Sequence, residues 1–412
     1  MTANGDFYDT LEIRDPEQRE AEQLTELRSL IALAKDKAPY WQRTLAGIEA
    51  GDIDSRAALS SLPVTRKSEL MEVQAAEPPF GGMTIVPVGE FKRVFRSPGP
   101  ICEPMGTKPD WFRGARSLYA AGFRSGDVVH NTFSYHFTPG AFMMESAAEA
   151  LGCTVFPGGV GQTEQQVEAI QHFGAVGFMG TPDFLKIVLD KAAEMGIALP
   201  SLAKALVGGG ALFPSLRQEI RGKGVDVMQN YGTADVGLVA YETPALEGMV
   251  LDEGVIVEIV RPGSGDPVPD GEVGEVVVTT LNSDYPLFRF ATGDMSAVDA
   301  GQSSCGRTNT RIKGWMGRAD QTAKVRGMFI RPEQVNRVLA HHPEITRLRL
   351  VVGSENNLDT ATLQVEAPTR DDAFRDAVAE SFRSECKMRG RIEFADTLPN
   401  DGKVIDDRRS YD

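Results

Sequence analysis

The sequence is poor in cysteine and histidine and has no long apolar run. Its 412 residues include four cysteines and five histidines, and no two cysteines form a CxxC pair. Dispersed cysteines predict free thiols in a reducing compartment and offer no paired ligands for structural zinc. No stretch of about 18 apolar residues occurs, so we expect no transmembrane helix. The polar N-terminus has no basic stretch followed by an apolar core, so we expect no signal peptide and a cytoplasmic location.

Positive charge is also scarce. Lys and Arg number 43 against 58 Asp and Glu, which gives a formal net charge of −15. This balance argues against a nucleic-acid partner, because nucleic-acid binders neutralise phosphates with an excess of cations. The chain is 42% hydrophobic and 25% charged, a composition that excludes collagen, coiled-coil rods and wholesale disorder. At about 150 residues per domain, the length predicts two or three domains.

Helix-like and strand-like segments alternate in the middle of the chain. Five helix-then-strand units between residues 112 and 228 predict a largely parallel sheet covered by helices. The Val- and Thr-rich segments 250–260 and 272–281 predict antiparallel strands with turns between them. Earlier in the chain, Asp15 and Pro16 form a good helix start, and that helix should end near residue 38.

The last part of the chain predicts a separate small module. Helices are expected at 332–340 and 371–385, and strands at 348–352, 362–365 and 391–394. The predicted fold is therefore α/β. A large N-terminal domain, residues 1–319, has mainly parallel, helix-covered sheets plus a β-rich subdomain. A small α+β C-terminal domain covers residues 320–412.

Several short motifs follow one another in a fixed order along the chain. They are LPVTRKSEL at Leu62–Leu70, NTFSYHFTPG at Asn131–Gly140, YGTAD at Tyr231–Asp235, ATGD at Ala291–Asp294, GRADQTAKVRG at Gly317–Gly327, and Gly402-Lys403. In this order, residues 20–412 resemble the adenylate-forming superfamily, specifically its phenylacetate–coenzyme A ligase branch. The resemblance implies that ATP and Mg²⁺ convert a carboxylic acid into an acyl-adenylate, whose acyl group then passes to coenzyme A. Such a reaction depends mainly on positioning and on stabilising phosphate charge.

The resemblance also implies roles for individual residues. Lys403 matches the mobile adenylation lysine, and Asp320 matches the hinge on which the small domain turns. Asp235 matches the magnesium ligand, although the family usually has Glu there, and either carboxylate suits the metal. The expected nucleotide contacts are the ribose-binding Asp294 and Arg318, the adenine and α-phosphate loop Tyr231, Gly232 and Thr233, the adenine edge Gly208 and Gly209, and the phosphate-loop donors Ser97 and Gly99.

The phosphate loop departs most from the family pattern. Residues 97–104 read SPGPICEP where the family has a run of Ser, Thr and Gly. Pro98 and Pro100 have no N–H group to offer to a phosphate oxygen. Glu103 adds a like charge near the expected triphosphate, and Ala234 replaces a hydroxyl residue. The altered residues lie on the triphosphate side, whereas the ribose, hinge and lysine residues are intact.

The acid pocket is expected between Tyr135, His136, Phe137 and the strand end at Gly208. Its aromatic lining suits an aryl acid by resemblance, and the glycines at 208–210 predict room for an acid bulkier than phenylacetate. The alternatives are ordinary core packing for Tyr135 and Phe137 and a structural role for His136. The expected partners are a small carboxylic acid and coenzyme A, without nucleic acid or membrane, and a homodimer is an open alternative.

Three functions fit these motifs. The first is an AMP-forming ligase that joins an aromatic or related acid to coenzyme A. The second is a relative with lost or altered ATP use that acts as an acyltransferase or accessory enzyme, because the loop at Ser97 has lost donors. The third is a nucleotide-binding protein without catalysis, which would need neither the hinge Asp320 nor Lys403.

Overall fold

The fold is given by a computed structural model, which describes residues 7–97, 100–319, 323–356, 358–399 and 404–409. The chain divides into two compact units. The first runs up to Leu212 and continues over Arg217–Met316, and the second contains Phe213–Leu216 and the residues from Gly317 onward. The predicted domain limits at 319 and 320 stay predictions.

Helices and strands alternate as expected for an α/β protein. Within the described ranges, the helices are α1 Pro16–Lys37, α2 Pro39–Thr44, α3 Arg56–Ser60, α4 Leu70–Ala76, α5 Ala115–Ala120, α6 Gly140–Leu151, α7 Thr163–Phe173, α8 Pro182–Glu194, α9 Pro214–Gly222, α10 Pro332–His341 and α11 Asp372–Cys386.

The strands are more numerous than the sequence predicts. They are β1 Thr65–Arg66, β2 Arg93–Arg96, β3 Cys102–Met105, β4 Val128–Asn131, β5 Thr154–Pro157, β6 Gly177–Gly180, β7 Lys204–Val207, β8 Asp226–Thr233, β9 Gly237–Tyr241, β10 Met249–Leu251, β11 Val255–Val260, β12 Gly274–Thr280, β13 Phe290–Ser296, β14 Val298–Asp299, β15 Arg311–Ile312, β16 Ala323–Val325, β17 Met328–Ile330, β18 Arg347–Glu355, β19 Leu358–Glu366, β20 Arg391–Phe394 and β21 Ile405–Asp407.

The predicted parallel sheet is the first half of a nine-stranded sheet. Its order is β5-β4-β6-β7-β8-β9-β10-β15-β14. The strands from β5 to β8 pair in parallel, and β9, β10, β15 and β14 continue the sheet in antiparallel pairs. Helix α5 precedes β4, and helices α6 to α9 connect the parallel strands, which confirms the helix-covered parallel sheet. Strand β8 is the place where the two halves of the sheet meet.

A second sheet in the first unit has the order β1-β13-β12-β11. The pairs β11–β12 and β12–β13 are antiparallel, which confirms the Val-rich β subdomain, and the two-residue β1 joins β13 in parallel. Aromatic side chains pack behind it, with the Trp41 ring 4.8 Å from that of Phe288. This sheet carries the ATGD motif on β13.

Buried ion pairs tie the N-terminal segment to residues far along the chain. The Glu12 carboxylate accepts hydrogen bonds from Arg307 Nε at 2.6 Å and from the Tyr241 hydroxyl at 2.8 Å. Arg19 Nε donates to Glu253 at 2.8 Å from the first turn of α1. That helix starts as predicted, because the Asp15 carboxylate caps it and Pro16 is its first residue.

The second unit is a small α+β layer. Strands β20-β19-β18-β21 form one sheet, in which β18–β19 is antiparallel and the outer pairs are parallel. Helices α10 and α11 and this sheet share one apolar core that includes Val338, Leu350, Leu363 and Phe382. The predicted helices and strands of this module are confirmed. Strands β16, β17 and β21 are additional.

Candidate functional site

Asp294 lies where the two sheets of the first unit approach each other. It belongs to β13, and its carboxylate accepts hydrogen bonds from the Tyr231 hydroxyl of β8 and from Trp315 Nε1, both at 3.0 Å. The residue is 7% exposed. Two donors from rigid elements therefore fix the orientation of this carboxylate. An ionised carboxylate is the kind of acceptor that vicinal ribose hydroxyls require.

Asp235 follows β8 in the turn that leads to β9. Its Oδ2 accepts hydrogen bonds from Lys67 Nζ at 2.5 Å and from the Thr233 hydroxyl at 3.1 Å. Lys67 comes directly after β1, and the parallel pairing of β1 with β13 brings it to this turn. The Asp235 side chain is 1% exposed, and Oδ1 has no hydrogen-bond partner in the described ranges.

Glu103 of the phosphate loop is buried beside this ion pair. It stands opposite Phe95 in the β2–β3 hairpin and is 1% exposed. Neither carboxylate oxygen meets a hydrogen-bond donor in the part of the chain that the structure describes. Burial and the Asp235 charge raise the pKa of Glu103 to about 9, against the opposing effect of Lys67. Nearby Tyr285 is fully buried, and its pKa is raised chiefly by that burial.

The unpaired oxygens of Asp235 and Glu103 have the chemistry that a hard cation prefers. Magnesium commonly takes one or two carboxylates and completes its shell with water or phosphate oxygens. The described residues contain no group of three or more His, Cys, Asp or Glu side chains placed for a metal. The fit to Mg²⁺ therefore rests on two carboxylates.

The phosphate loop uses most of its own donors. The Ser97 N–H donates to the Ile101 carbonyl at 2.8 Å, and the Ile101 N–H donates to the Ser97 hydroxyl at 3.3 Å. The Cys102 N–H donates to Gln74 Oε1 at 2.7 Å, and Gln74 Nε2 returns a bond to the Cys102 carbonyl at 2.8 Å. Gly99 lies outside the described residues. Ser97, Ile101 and Cys102 are thus already paired within the protein.

The room predicted at Gly208 is absent, so that part of the expectation is wrong, and the size of the acid stays a prediction. A Cβ atom at Gly208 would overlap Asn230 Oδ1, so the amide of a β8 residue fills the space. The Gly208 N–H donates to the Gly180 carbonyl at 3.1 Å. Gly209 has a φ of +70°, a conformation that favours glycine. Close approach of Asn230 and backbone conformation explain these two glycines.

The expected acid-pocket residues do not share one lining. The Tyr135 hydroxyl donates to Glu145 Oε2 at 2.6 Å and accepts from Asn131 Nδ2 at 3.0 Å. His136 is exposed, so a buried structural role is excluded for it. Phe137 is 79% exposed, which excludes core packing, and has a φ of +61°. Phe137 borders an apolar pocket of about 280 Å³, with Pro79, Phe80, Val88, Val94, Phe95, Arg96 and Cys102.

The remaining predicted site residues belong to the second unit. Arg318 is half-buried, and its guanidinium lies 5.7 Å from the centre of the Phe329 ring. Asp320 and Lys403 lie outside the described residues. Sequence patterns alone did not indicate Trp315, Glu145 or Tyr285. Lys67 stands inside one of the quoted motifs, but nothing in the motif revealed that it pairs with a residue 168 positions away.

None of the helices in the described residues combines the length and apolarity needed to cross a membrane.

Comparison with known proteins identifies the family. The family model described as AMP-binding enzyme matches residues 110–282. Phenylacetate-coenzyme A ligase of Thermus thermophilus is 33% identical over 87% of this chain and 84% of its own length. The same enzyme of Aromatoleum evansii is 30% identical over 86% of this chain and 83% of its own length.

Solved structures support the fold. A 2-hydroxyisobutyryl-CoA ligase in complex with 2-HIB-AMP and CoA matches with a TM-score of 0.86 at 23% identity, covering 100% of this chain and 94% of its own. The amide bond synthetase McbA from Marinactinospora thermotolerans matches with a TM-score of 0.57 at 19% identity, covering 93% and 92%. The chain belongs to the phenylacetate–coenzyme A ligase branch of the adenylate-forming enzymes.

Proposed function

We propose that this protein is an AMP-forming ligase that activates an aromatic or related carboxylic acid as an acyl-adenylate and transfers the acyl group to coenzyme A. The support is its relationship to phenylacetate-coenzyme A ligases over most of the chain. The observation that carries the proposal is the buried Asp294 carboxylate, which Tyr231 and Trp315 hold in a fixed orientation. A buried, doubly oriented acceptor of this kind suits a ribose.

The nucleotide would extend from Asp294 along the end of β8. Tyr231, Gly232 and Thr233 lead from the ribose acceptor towards Asp235, which would face the phosphates. The remaining contacts in this proposal are Gly208 and Gly209 at the adenine, Arg318 at the ribose, and Ser97, Gly99 and Lys403 at the phosphates. Asp320 would act as the hinge. Asp235 would hold Mg²⁺, which supplies positive charge to phosphate oxygens when bound.

The acid would bind near Tyr135, His136 and Phe137. The apolar pocket at Phe137 supports an apolar or aryl group, and Arg96 at its edge is a suitable partner for an anion. The Tyr135–Glu145 pair adds a polar feature that favours an acid with a hydroxyl or amino substituent. We also propose that the enzyme works in the cytoplasm as a homodimer, which size-exclusion chromatography with light scattering tests.

A second function is favoured by the phosphate loop alone. The described N–H donors of the loop are already paired, and Pro100 offers none, so the loop supports a triphosphate poorly. An enzyme of this kind would take a preformed acyl-adenylate. The coenzyme A thiolate would attack the acyl carbon, the bond from that carbon to the phosphate oxygen would break, and AMP would leave.

One pair of assays separates the two functions. The ligase predicts acid-dependent exchange of labelled pyrophosphate into ATP, together with thioester formation from acid, Mg-ATP and coenzyme A. The acyltransferase predicts thioester formation only from synthetic acyl-adenylate. A panel of phenylacetate, benzoate and their hydroxy and amino derivatives supplies the acids. Failure of both assays with every acid would overturn the proposed function.

A further inference from the structure

Three buried carboxylate oxygens lie together without a donor. They are Asp235 Oδ1 and both oxygens of Glu103, and no described group donates a hydrogen bond to any of them. Both side chains are almost completely buried. A buried carboxylate oxygen without a hydrogen bond or a cation is costly, so native proteins rarely contain one. Three at one place indicate a positively charged group that belongs there.

The charge balance of the cluster also indicates that a positively charged group belongs there. Two carboxylates face one ammonium, and Lys67 Nζ is already bound to Asp235 Oδ2. A second negative charge at Glu103 therefore needs another counter-ion. The Thr233 hydroxyl donates to Asp235 Oδ2, which leaves Oδ1 as the carboxylate oxygen available to a metal ion.

Rigid neighbours hold both carboxylates in place. Glu103 is on a strand, and the preceding residue, Cys102, is fixed by two hydrogen bonds to Gln74. Asp235 is fixed by Lys67 and Thr233. A metal site needs ligands whose positions are set before the ion arrives. This pair meets that condition in the free protein.

We propose that Glu103 and Asp235 together bind one divalent cation of the Mg²⁺ and Mn²⁺ class in the absence of nucleotide. The proposal deepens the proposed function, because it gives the altered phosphate loop a role at the same site. Magnesium accepts two carboxylates and fills its remaining positions with water. In this arrangement Glu103 does not repel the negatively charged phosphates of the nucleotide. It binds the cation that attracts them.

The test is binding of Mn²⁺ to the full-length protein, freed of metal and without any nucleotide. Electron paramagnetic resonance counts free Mn²⁺, and calorimetry gives the stoichiometry and affinity. We expect one ion per chain and an affinity at least about tenfold lower in Glu103→Gln, by analogy with other metal-site substitutions. Glu272→Gln removes the same charge from an exposed position and should leave binding unchanged.

Thermal unfolding provides a second readout. Mn²⁺ should raise the unfolding temperature of the wild type and of Glu272→Gln, and should leave that of Glu103→Gln nearly unchanged, because only a bound ion stabilises the folded state. Glu103→Gln keeps the shape of the side chain, so the metal-free variant should be about as stable as the metal-free wild type.

Absence of Mn²⁺ binding to the wild type would overturn the proposal, and so would equal binding by Glu103→Gln. These outcomes are separate from the fate of the proposed ligase. Mn²⁺ binding without thioester formation would uphold the metal site and refute the ligase. Thioester formation without Mn²⁺ binding in the absence of nucleotide would uphold the ligase and refute the metal site.

Discussion

Replacing Asp294 by Asn should weaken AMP binding while leaving the fold intact. The carboxylate accepts one hydrogen bond from Tyr231 and one from Trp315, each at 3.0 Å. Asn has nearly the same shape, and its Oδ1 can accept from Trp315 Nε1. The Tyr231 hydroxyl can rotate to accept from Asn Nδ2, because a hydroxyl is both donor and acceptor. The protein therefore keeps both contacts, and the loss falls on the ligand.

The size of that loss follows from the charge. Hydrogen bonds to a charged group contribute about 1.5–3 kcal/mol, against about 1 kcal/mol for neutral pairs. Asn Nδ2 cannot accept a hydrogen bond, so one charged hydrogen bond to the ribose is lost, and AMP binding should weaken by about 1.5–3 kcal/mol, or roughly 10- to 150-fold. Tyr231→Phe removes one orienting donor and keeps the charge, so its effect on AMP binding should be smaller.

Calorimetric titration of the wild type and variants with AMP measures these affinities without knowledge of the acid. Asp266→Asn, which makes the same change at an exposed position, serves as the control. Urea unfolding checks that Asp294→Asn loses no more than about 1.5 kcal/mol of stability. If Asp294→Asn bound AMP within twofold of the wild type, Asp294 would not be the ribose acceptor.

Three further predictions concern other residues. Lys403→Ala should reduce acid-dependent pyrophosphate exchange about a hundredfold and leave urea unfolding unchanged; an unaltered exchange rate would exclude the lysine from adenylation. Gly208→Ala should cost about 1–3 kcal/mol in urea unfolding, because its Cβ overlaps Asn230, and the added change Asn230→Ala should recover much of that loss. Asp110 has a pKa raised to about 6, chiefly by burial, so its ionisation costs stability as pH rises from about 4 to about 6. The unfolding free energy of the wild type relative to Asp110→Asn should fall over that range by at most about 3 kcal/mol, and a constant difference would contradict this pKa.

Local patterns predicted the elements that carry regular apolar spacing. The parallel strands, the Val-rich hairpin of β11 and β12 and the helices of the second unit are all of this kind. Strand β13 is different, because its ATGD motif contains Gly293 at a φ of +75° and polar residues. Its strand conformation comes from pairing with β12 and β1, which no local pattern reveals.

The site residues also divide into those that a local motif indicates and those that depend on the pairing of distant segments. Asp294, Tyr231 and Asp235 could be named because their motifs are local. Lys67 and Trp315 could not be assigned to the site, because each joins its carboxylate only after distant strands pair. The sequence predicted that the negative charge of Glu103 lies near the phosphates. That this carboxylate is buried without a donor depends on the hairpin that turns it inward.

The N-terminal ion pairs carry a consequence for folding during synthesis. Glu12 cannot form its ion pair until Arg307 has been synthesised 295 residues later, and Arg19 cannot pair until Glu253 has been synthesised 234 residues later. On the ribosome, helix α1 and the turn before it therefore emerge with an apolar face and with two charged side chains, Arg19 and Glu12, whose partners are not yet synthesised. Long-range contacts of this kind slow folding and expose nascent chains to aggregation. Chaperone dependence should thus concentrate on the first 40 or so residues until roughly three quarters of the chain has left the exit tunnel.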